Sequence, residues 1–266
     1  MADSRVAEST VTIAVLAPDL LGTYGDIGNA LVLERRLAWR GFSAEVLGVN
    51  PGTGVPETAD IYLLGGGEDA QQTLATTELV RSSALGRAVD RGAVVFAVCA
   101  GFQILGHRYP AAGTERPGLG LLDVDSLRTK DSRAVGELLA DPIAASVGGA
   151  QLGPLTGFEN HAARTRLGPA ARPLAAVVRG VGNGFDNLEG AVQGRVVGTY
   201  LHGPALARNP ALADLLLSWV VGELTPLALD EVDQLRRERL IGQTGALALK
   251  GRSRTRAWRN WQTRWT

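Results

Sequence analysis

The stretch Ala93-Val94-Val95-Phe96-Ala97-Val98-Cys99-Ala100-Gly101-Phe102-Gln103-Ile104-Leu105-Gly106 decides the fold. An unbroken apolar run of strand length ends at the only cysteine of the sequence, and a small residue and a glycine then lead into an apolar, helix-compatible segment. The pattern predicts a buried strand, a sharp turn and a helix. A side chain on such a turn stands at the carboxyl end of a parallel strand, where open α/β sheets keep their ligand crevices, and the helix N-terminus behind it favours negative charge. Both placements favour a thiolate. A thiolate there would attack a carbonyl while backbone N–H groups hold the resulting oxyanion. The plainer alternative is that Cys99 only packs, as a small buried hydrophobe.

Towards the N-terminus, Val11–Ala17 reads as a first strand, and Leu20–Ala30 leads into a helix over Leu31–Trp39 that stops at Gly41. Asp26 either caps that helix or touches a partner. Ala44–Val49 and Asp60–Leu64 read as the second and third strands, the third running into Gly65-Gly66-Gly67-Glu68-Asp69. Glycines at a strand end let the backbone approach a ligand and turn N–H groups inward, which beside the Cys99 elbow makes this loop a candidate for half of an oxyanion hole. From Asp69 a helix is predicted to run towards Arg91. No Gly-x-x-x-x-Gly-Lys-Ser/Thr pattern occurs, so no P-loop nucleotide site is expected.

Beyond Gly118 the alternating segments predict shorter, partly antiparallel strands. Arg133 there is a candidate clamp for the carboxylate of an amino acid, since a guanidinium grips a carboxylate through two parallel hydrogen bonds; Arg128 competes for the role. A cysteine nucleophile also needs a base, and the sequence has three histidines. His107 lies on the order of 12 Å further along the predicted elbow helix and is too distant. His202 ends the alternating strand that starts at Arg195, opposite the strand-end cysteine, and is the better-placed base; His161, in Gly157-Phe158-Glu159-Asn160-His161, is the alternative. Leu206–Val221 reads as an amphipathic helix and Asp230–Leu240 as a charged one.

Composition bounds the rest. The 266 residues, 45% hydrophobic with 34 glycines, suit a compact α/β enzyme. Lys plus Arg and Asp plus Glu stand at 27 each, which gives no global argument for nucleic acid or an anionic surface. One cysteine makes no internal disulfide, no signal segment is evident and no apolar run is long enough to span a bilayer, so the expected home is the cytoplasm. A single domain over 1–240 is expected, followed at 241–266 by a basic, tryptophan-rich tail that reads as a disordered appendage rather than a nucleic-acid or membrane anchor.

Val98-Cys99-Ala100-Gly101-Phe102-Gln103 resembles the Gly-x-Cys-x-Gly-x-Gln elbow of class I glutamine amidotransferases, without the glycine that the family carries before its cysteine. Tyr24-Gly25-Asp26-Ile27-Gly28-Asn29, Gly65-Gly66-Gly67-Glu68-Asp69-Ala70-Gln71-Gln72, Gly157-Phe158-Glu159-Asn160-His161, Gly180-Val181-Gly182-Asn183-Gly184 and Tyr200-Leu201-His202-Gly203-Pro204 follow in an order that resembles the GatD family, the glutaminase subunits of lipid II isoglutaminyl synthase. The resemblance implies the flavodoxin-like amidotransferase fold, a central mostly parallel sheet flanked by helices with a smaller antiparallel portion. It implies a heterodimer with a MurT-like Mur ligase that carries ATP and Mg²⁺ and amidates the D-glutamate α-carboxyl of lipid II at the inner membrane face. No cofactor is implied for this subunit. Its residues imply Cys99 as nucleophile, His202 as base, Gly66, Gly67 and Ala100 around the oxyanion, and Gln103 and Arg133 on the amino-acid end of L-glutamine. The glutamate that usually follows the histidine by two residues is Pro204 here, which leaves either a Cys–His dyad or an orienting carboxylate from elsewhere, Glu159 being one candidate. The alternatives are a cobyrinate or cobyric acid amidotransferase, whose fused synthetase domain has no counterpart here, and a scaffold subunit without catalysis.

Overall fold

The computed structural model describes residues 10–250, with side chains described through 242. The apolar runs become the centre of the molecule. Strands β1 (Val11–Leu16), β2 (Ala44–Val49), β3 (Ile61–Leu64) and β4 (Val94–Val98) alternate with helices α1 (Gly28–Ala38), α2 (Asp69–Ser82) and α3 (Ala84–Asp90). Every residue of β3 and β4 is buried, as expected of parallel strands covered on both faces. The short helix α4 (Ala100–Leu105) follows β4 directly. The predicted helix from Asp69 towards Arg91 is interrupted at Ser83, whose left-handed φ of 51° parts α2 from α3.

The chain then adds strands β5 (Arg108–Ala111), β6 (Thr114–Pro117), β7 (Val124–Arg128), β8 (Ala134–Pro142), β9 (Leu155–His161), β10 (Ala163–Leu167), β11 (Ala175–Arg179), β12 (Leu188–Glu189), β13 (Ala191–Gln193) and β14 (Val196–Thr199). The main sheet has six strands in the order β13-β14-β4-β3-β1-β2, with β13 its antiparallel member. Two four-stranded sheets, β10-β7-β5-β6 and β12-β11-β8-β9, hold the rest. The α/β class stands, but among the described residues the two smaller sheets, antiparallel except where β5 pairs parallel with β7, carry eight of the fourteen strands. Most of these strands interleave buried with half-exposed or exposed positions, so they lack the continuous apolar run that marks β3 and β4.

Helices α5 (Ala205–Arg208) and α6 (Pro210–Val221) replace the single helix expected over Leu206–Val221. Pro210 takes the first turn of α6, where its missing N–H is no loss, and Asn209 before it is non-helical. Arg36 of α1 and Arg40, just past its end, both pair with Asp214 of α6, at 2.5 and 2.9 Å, which ties the two helices together. The chain divides into two units at Thr225/Pro226 rather than at the expected boundary after 240. The second unit contains α7 (Asp230–Lys250), so the charged helix runs beyond Leu240. The Arg/Trp-rich run from Arg252 to Thr266, with its expected disorder, lies outside the described residues. Among the described residues no helix is long and apolar enough to cross a membrane.

Candidate active site

Cys99 occupies the turn between β4 and α4 with φ 53° and ψ −104°, a strained conformation for a residue with a Cβ. Its surroundings over-determine it. The Cys99 N–H donates to the Thr199 carbonyl, the Gly101 N–H to that of Gly65, and the Gln103 N–H to the Cys99 carbonyl itself. Gly101 permits the close approach of α4 to β3, since a Cβ there would stand 2.6 Å from the Leu64 Cβ. The elbow therefore juts from the carboxyl end of the sheet into a cavity of about 210 Å³, also lined by Tyr24, Gly67, Arg128, Arg133, Asn160 and His202.

His202 lies three residues beyond β14, and its backbone pairs in both directions with Phe158 of β9. Its Nδ1 stands 2.9 Å from Asp26 Oδ2, and both side chains are almost wholly buried. Asp26 is thus the carboxylate that orients the histidine. It does not cap α1, whose N-cap position is taken by Ile27 with no side-chain cap. Glu159 is excluded from the orienting role because it accepts the Val181 and Gly182 N–H groups at 2.8 and 2.9 Å and faces His161. The local motif offered a cue to Asp26, but a helix start beside an acidic residue has an equally good local explanation.

The electrostatics follow from this geometry. Burial pushes against a charge on His202, while Asp26 and the Cys99 sulfur favour it, and the balance raises its pKa to about 10. The imidazole is accordingly protonated at neutral pH. Nε2 is buried without a hydrogen-bond partner of ordinary geometry, including to Cys99, although both groups line the same cavity. A second buried acid, Glu189, is raised to about 7 by burial, against the hydrogen bonds from Thr199 and Tyr200.

Because both pKa values are raised, the folded state holds more protons than the unfolded one, from about pH 4.5 to 7 through Glu189 and from about 6.5 to 10 through His202. Stability from His202 is fully present below its unfolded pKa and is lost as pH rises through the folded one, with a limiting slope of about 1.4 kcal/mol per pH unit. Denaturant titrations between pH 6 and 10 should show this decline in the wild type. Asp26→Asn should flatten it; parallel curves would contradict the pairing.

The oxyanion donors divide. The Gly66 N–H donates to Asp26 Oδ2 at 2.8 Å, so Gly66 supports the His–Asp pair instead of facing the cavity. A Cβ on Gly66 would stand 2.7 Å from His202 Cε1, which explains glycine at that position. The N–H groups of Gly67 and Ala100 carry no hydrogen bond in the described structure, and both residues line the cavity.

Gln103 also lines the cavity, but its amide is already engaged: Oε1 accepts from Gln72 at 2.9 Å and Nε2 donates to the Tyr200 hydroxyl at 3.3 Å. This chain runs on through Thr165 to Ser126 and braces α4 from behind. His161 lines the cavity while stacked on Tyr200 at 3.7 Å, with its Nδ1 on the Ala163 carbonyl and its Nε2 facing Glu159. That leaves His202 as the cavity histidine whose Nε2 is unengaged among the described residues. His107 pairs with Asp123 at 2.9 Å, outside the cavity and past the end of α4. Sequence reasoning missed Asp26 as orienter and gave no role to Tyr24 or Asn160, both at the cavity wall.

Residues 12–210 match the CobB/CobQ-like glutamine amidotransferase domain. The chain is 36% identical over 211 residues to the GatD subunit of lipid II isoglutaminyl synthase (glutamine-hydrolyzing) from Staphylococcus aureus, covering 78% of this chain and 83% of that one. Against the Streptococcus pneumoniae subunit of the same name it is 32% identical, covering 78% and 79%. A cobyric acid synthase from Pelotomaculum thermopropionicum is 32% identical, but the match covers only 41% of that protein. Among solved structures, a glutamine amidotransferase superposes with a TM-score of 0.53 at 20% identity, over 79% of this chain and 98% of the other, which supports the fold.

Proposed function

Since the chain belongs to the GatD family of CobB/CobQ-like glutamine amidotransferases, we propose that Cys99 and His202 carry its glutamine hydrolysis through a thioester and that the ammonia passes to a MurT-like, ATP-dependent ligase amidating lipid II. The observation that carries this reading is the convergence on one cavity of a strained cysteine, an Asp-paired histidine and two unengaged N–H groups.

In this reading the Cys99 thiolate attacks the side-chain amide carbon of L-glutamine, and the N–H groups of Gly67 and Ala100 hold the oxyanion. His202 Nε2–H protonates the departing nitrogen, which leaves as ammonia and a γ-glutamyl thioester on Cys99. The neutral imidazole then takes a proton from water, hydroxide adds to the thioester carbonyl, and glutamate leaves as the thiolate re-forms. Arg133 or Arg128 takes the α-carboxylate. ATP and Mg²⁺ act on the partner, where the acceptor carboxylate is activated.

The test is ammonia and glutamate release from L-glutamine by the purified chain, alone and co-expressed with a Mur-ligase-like subunit, with lipid II amidation followed in the complex. Equimolar ammonia and glutamate, together with glutamine-dependent amidation, are expected. Folded complex that releases neither product would overturn the proposal.

A further inference from the structure

We infer that Asn160 is a positioning residue for the α-carboxylate of glutamine: it holds one edge of the Arg133 guanidinium so that the other edge faces the substrate, and Tyr24 is the strut that holds Asn160. The inference rests on the glutaminase reading of the cavity.

Asn160, near the end of β9, spends every polar atom of its side chain on the cavity wall. Oδ1 accepts from Arg133 Nε at 2.5 Å, and Nδ2 donates to the Tyr24 hydroxyl. Its backbone carbonyl accepts from Arg133 Nη2 at 3.3 Å and from the Cys99 sulfur at 3.9 Å. One residue thereby joins the nucleophile, a cavity arginine and the loop after β1.

The chemistry of guanidinium decides what this does. Arg presents two usable forks to a carboxylate, the side-on edge with Nε and the end-on edge formed by its two terminal nitrogens. Asn160 occupies the side-on edge, so the end-on edge remains for the ligand. Arg133 has no other hydrogen bond or ion pair among the described residues, and it is exposed. Without Asn160 it would be a free surface arginine that has to be ordered on each binding event. Arg128 is in that condition: it lines the cavity, and its side chain makes no hydrogen bond or ion pair among the described residues. Pre-organisation therefore favours Arg133 as the clamp.

Tyr24 supplies an independent mark of function. It holds a φ of 60°, an outlying value for a bulky side chain. Its ring packs edge-on against His202, with centroids 5.0 Å apart, while its hydroxyl meets Asn160. The strained residue thus covers the base and braces the carboxylate site together.

The experiment is steady-state glutaminase kinetics of the subunit in complex with its ligase partner, using L-glutamine and L-glutaminamide, whose α-carboxylate is replaced by a neutral amide. For L-glutamine, Asn160→Ala should raise KM by at least about tenfold with kcat within about threefold, since a charge-assisted contact is misplaced while the nucleophile is untouched. Asn160→Asp should raise KM further by neutralising Arg133, and Tyr24→Phe should raise it less. Arg133→Lys, at an exposed position, keeps the charge without the fork and should reproduce the Asn160→Ala effect. With L-glutaminamide none of these substitutions should change KM beyond about twofold. An unchanged KM for L-glutamine in Asn160→Ala, or an equal rise for both substrates, would overturn the inference. A wild-type complex that hydrolyses neither substrate would refute the glutaminase reading itself.

Discussion

Cys99→Ala is expected to lower glutamine hydrolysis by at least about 10⁴-fold while the protein stays folded. With Cys99 as the proposed nucleophile, its removal would leave only binding and the proposed oxyanion donors, a residue of catalysis that in other nucleophilic hydrolases is several orders of magnitude below the intact site. The fold should tolerate the change, because the one hydrogen bond that the sulfur donates among the described residues is a long one, to the Asn160 carbonyl at 3.9 Å. Strain supplies a second readout. With φ at 53°, position 99 disfavours any residue that has a Cβ, so Cys99→Gly should be about 1 kcal/mol more stable than Cys99→Ala and equally inactive. Ammonia release by the three proteins, measured with the partner present, and their urea midpoints check both statements. Retained activity in Cys99→Ala would remove Cys99 from the chemistry. Equal stability of the two variants would mean that the elbow is unstrained.

The same residue shows how far the sequence could be read. Cys99 was legible because β4 is buried on both faces, which writes an unbroken apolar run into the chain and marks its end. The Gly65-Gly66-Gly67 loop was legible as a loop, but three identical residues do not reveal which N–H faces the cavity. The structure turns Gly66 to Asp26 and leaves Gly67 unengaged. Asp26 was hidden for a different reason: its partner lies 176 residues away, and no local pattern records a contact made by the folding of the whole sheet. Asn160 was hidden likewise, since both partners of its side chain come from other loops. The break at Asn209-Pro210 did carry a local cue, a proline suited to a first helical turn, which the continuous apolar spacing on either side obscured.

Asp26→Asn is expected to reduce kcat by about 10²–10⁴-fold with little change in KM for glutamine, by analogy with the loss of the orienting carboxylate in serine hydrolase triads. Oδ2 of Asp26 accepts from both His202 Nδ1 and the Gly66 N–H, so an asparagine oxygen in its place can keep both contacts and the local fold. What it removes is the negative charge. His202, raised to about 10 with help from that charge, should fall back towards the ordinary imidazole range, and burial then works against its protonation unopposed by Asp26. At neutral pH the histidine would carry its proton less often, and the thiolate–imidazolium pair of the proposed mechanism would be depleted. The sign of the pH response follows. In the wild type the protonated histidine persists to about pH 10, so activity should hold through the alkaline range until that proton is lost. In Asp26→Asn the alkaline limb should move to lower pH by at least one unit. kcat against pH for both proteins, with the stability titration as a control for unfolding, separates the alternatives. A variant with normal kcat and an unmoved alkaline limb would show that the carboxylate is packing beside His202 rather than tuning it, and the active site would then reduce to a Cys99–His202 dyad.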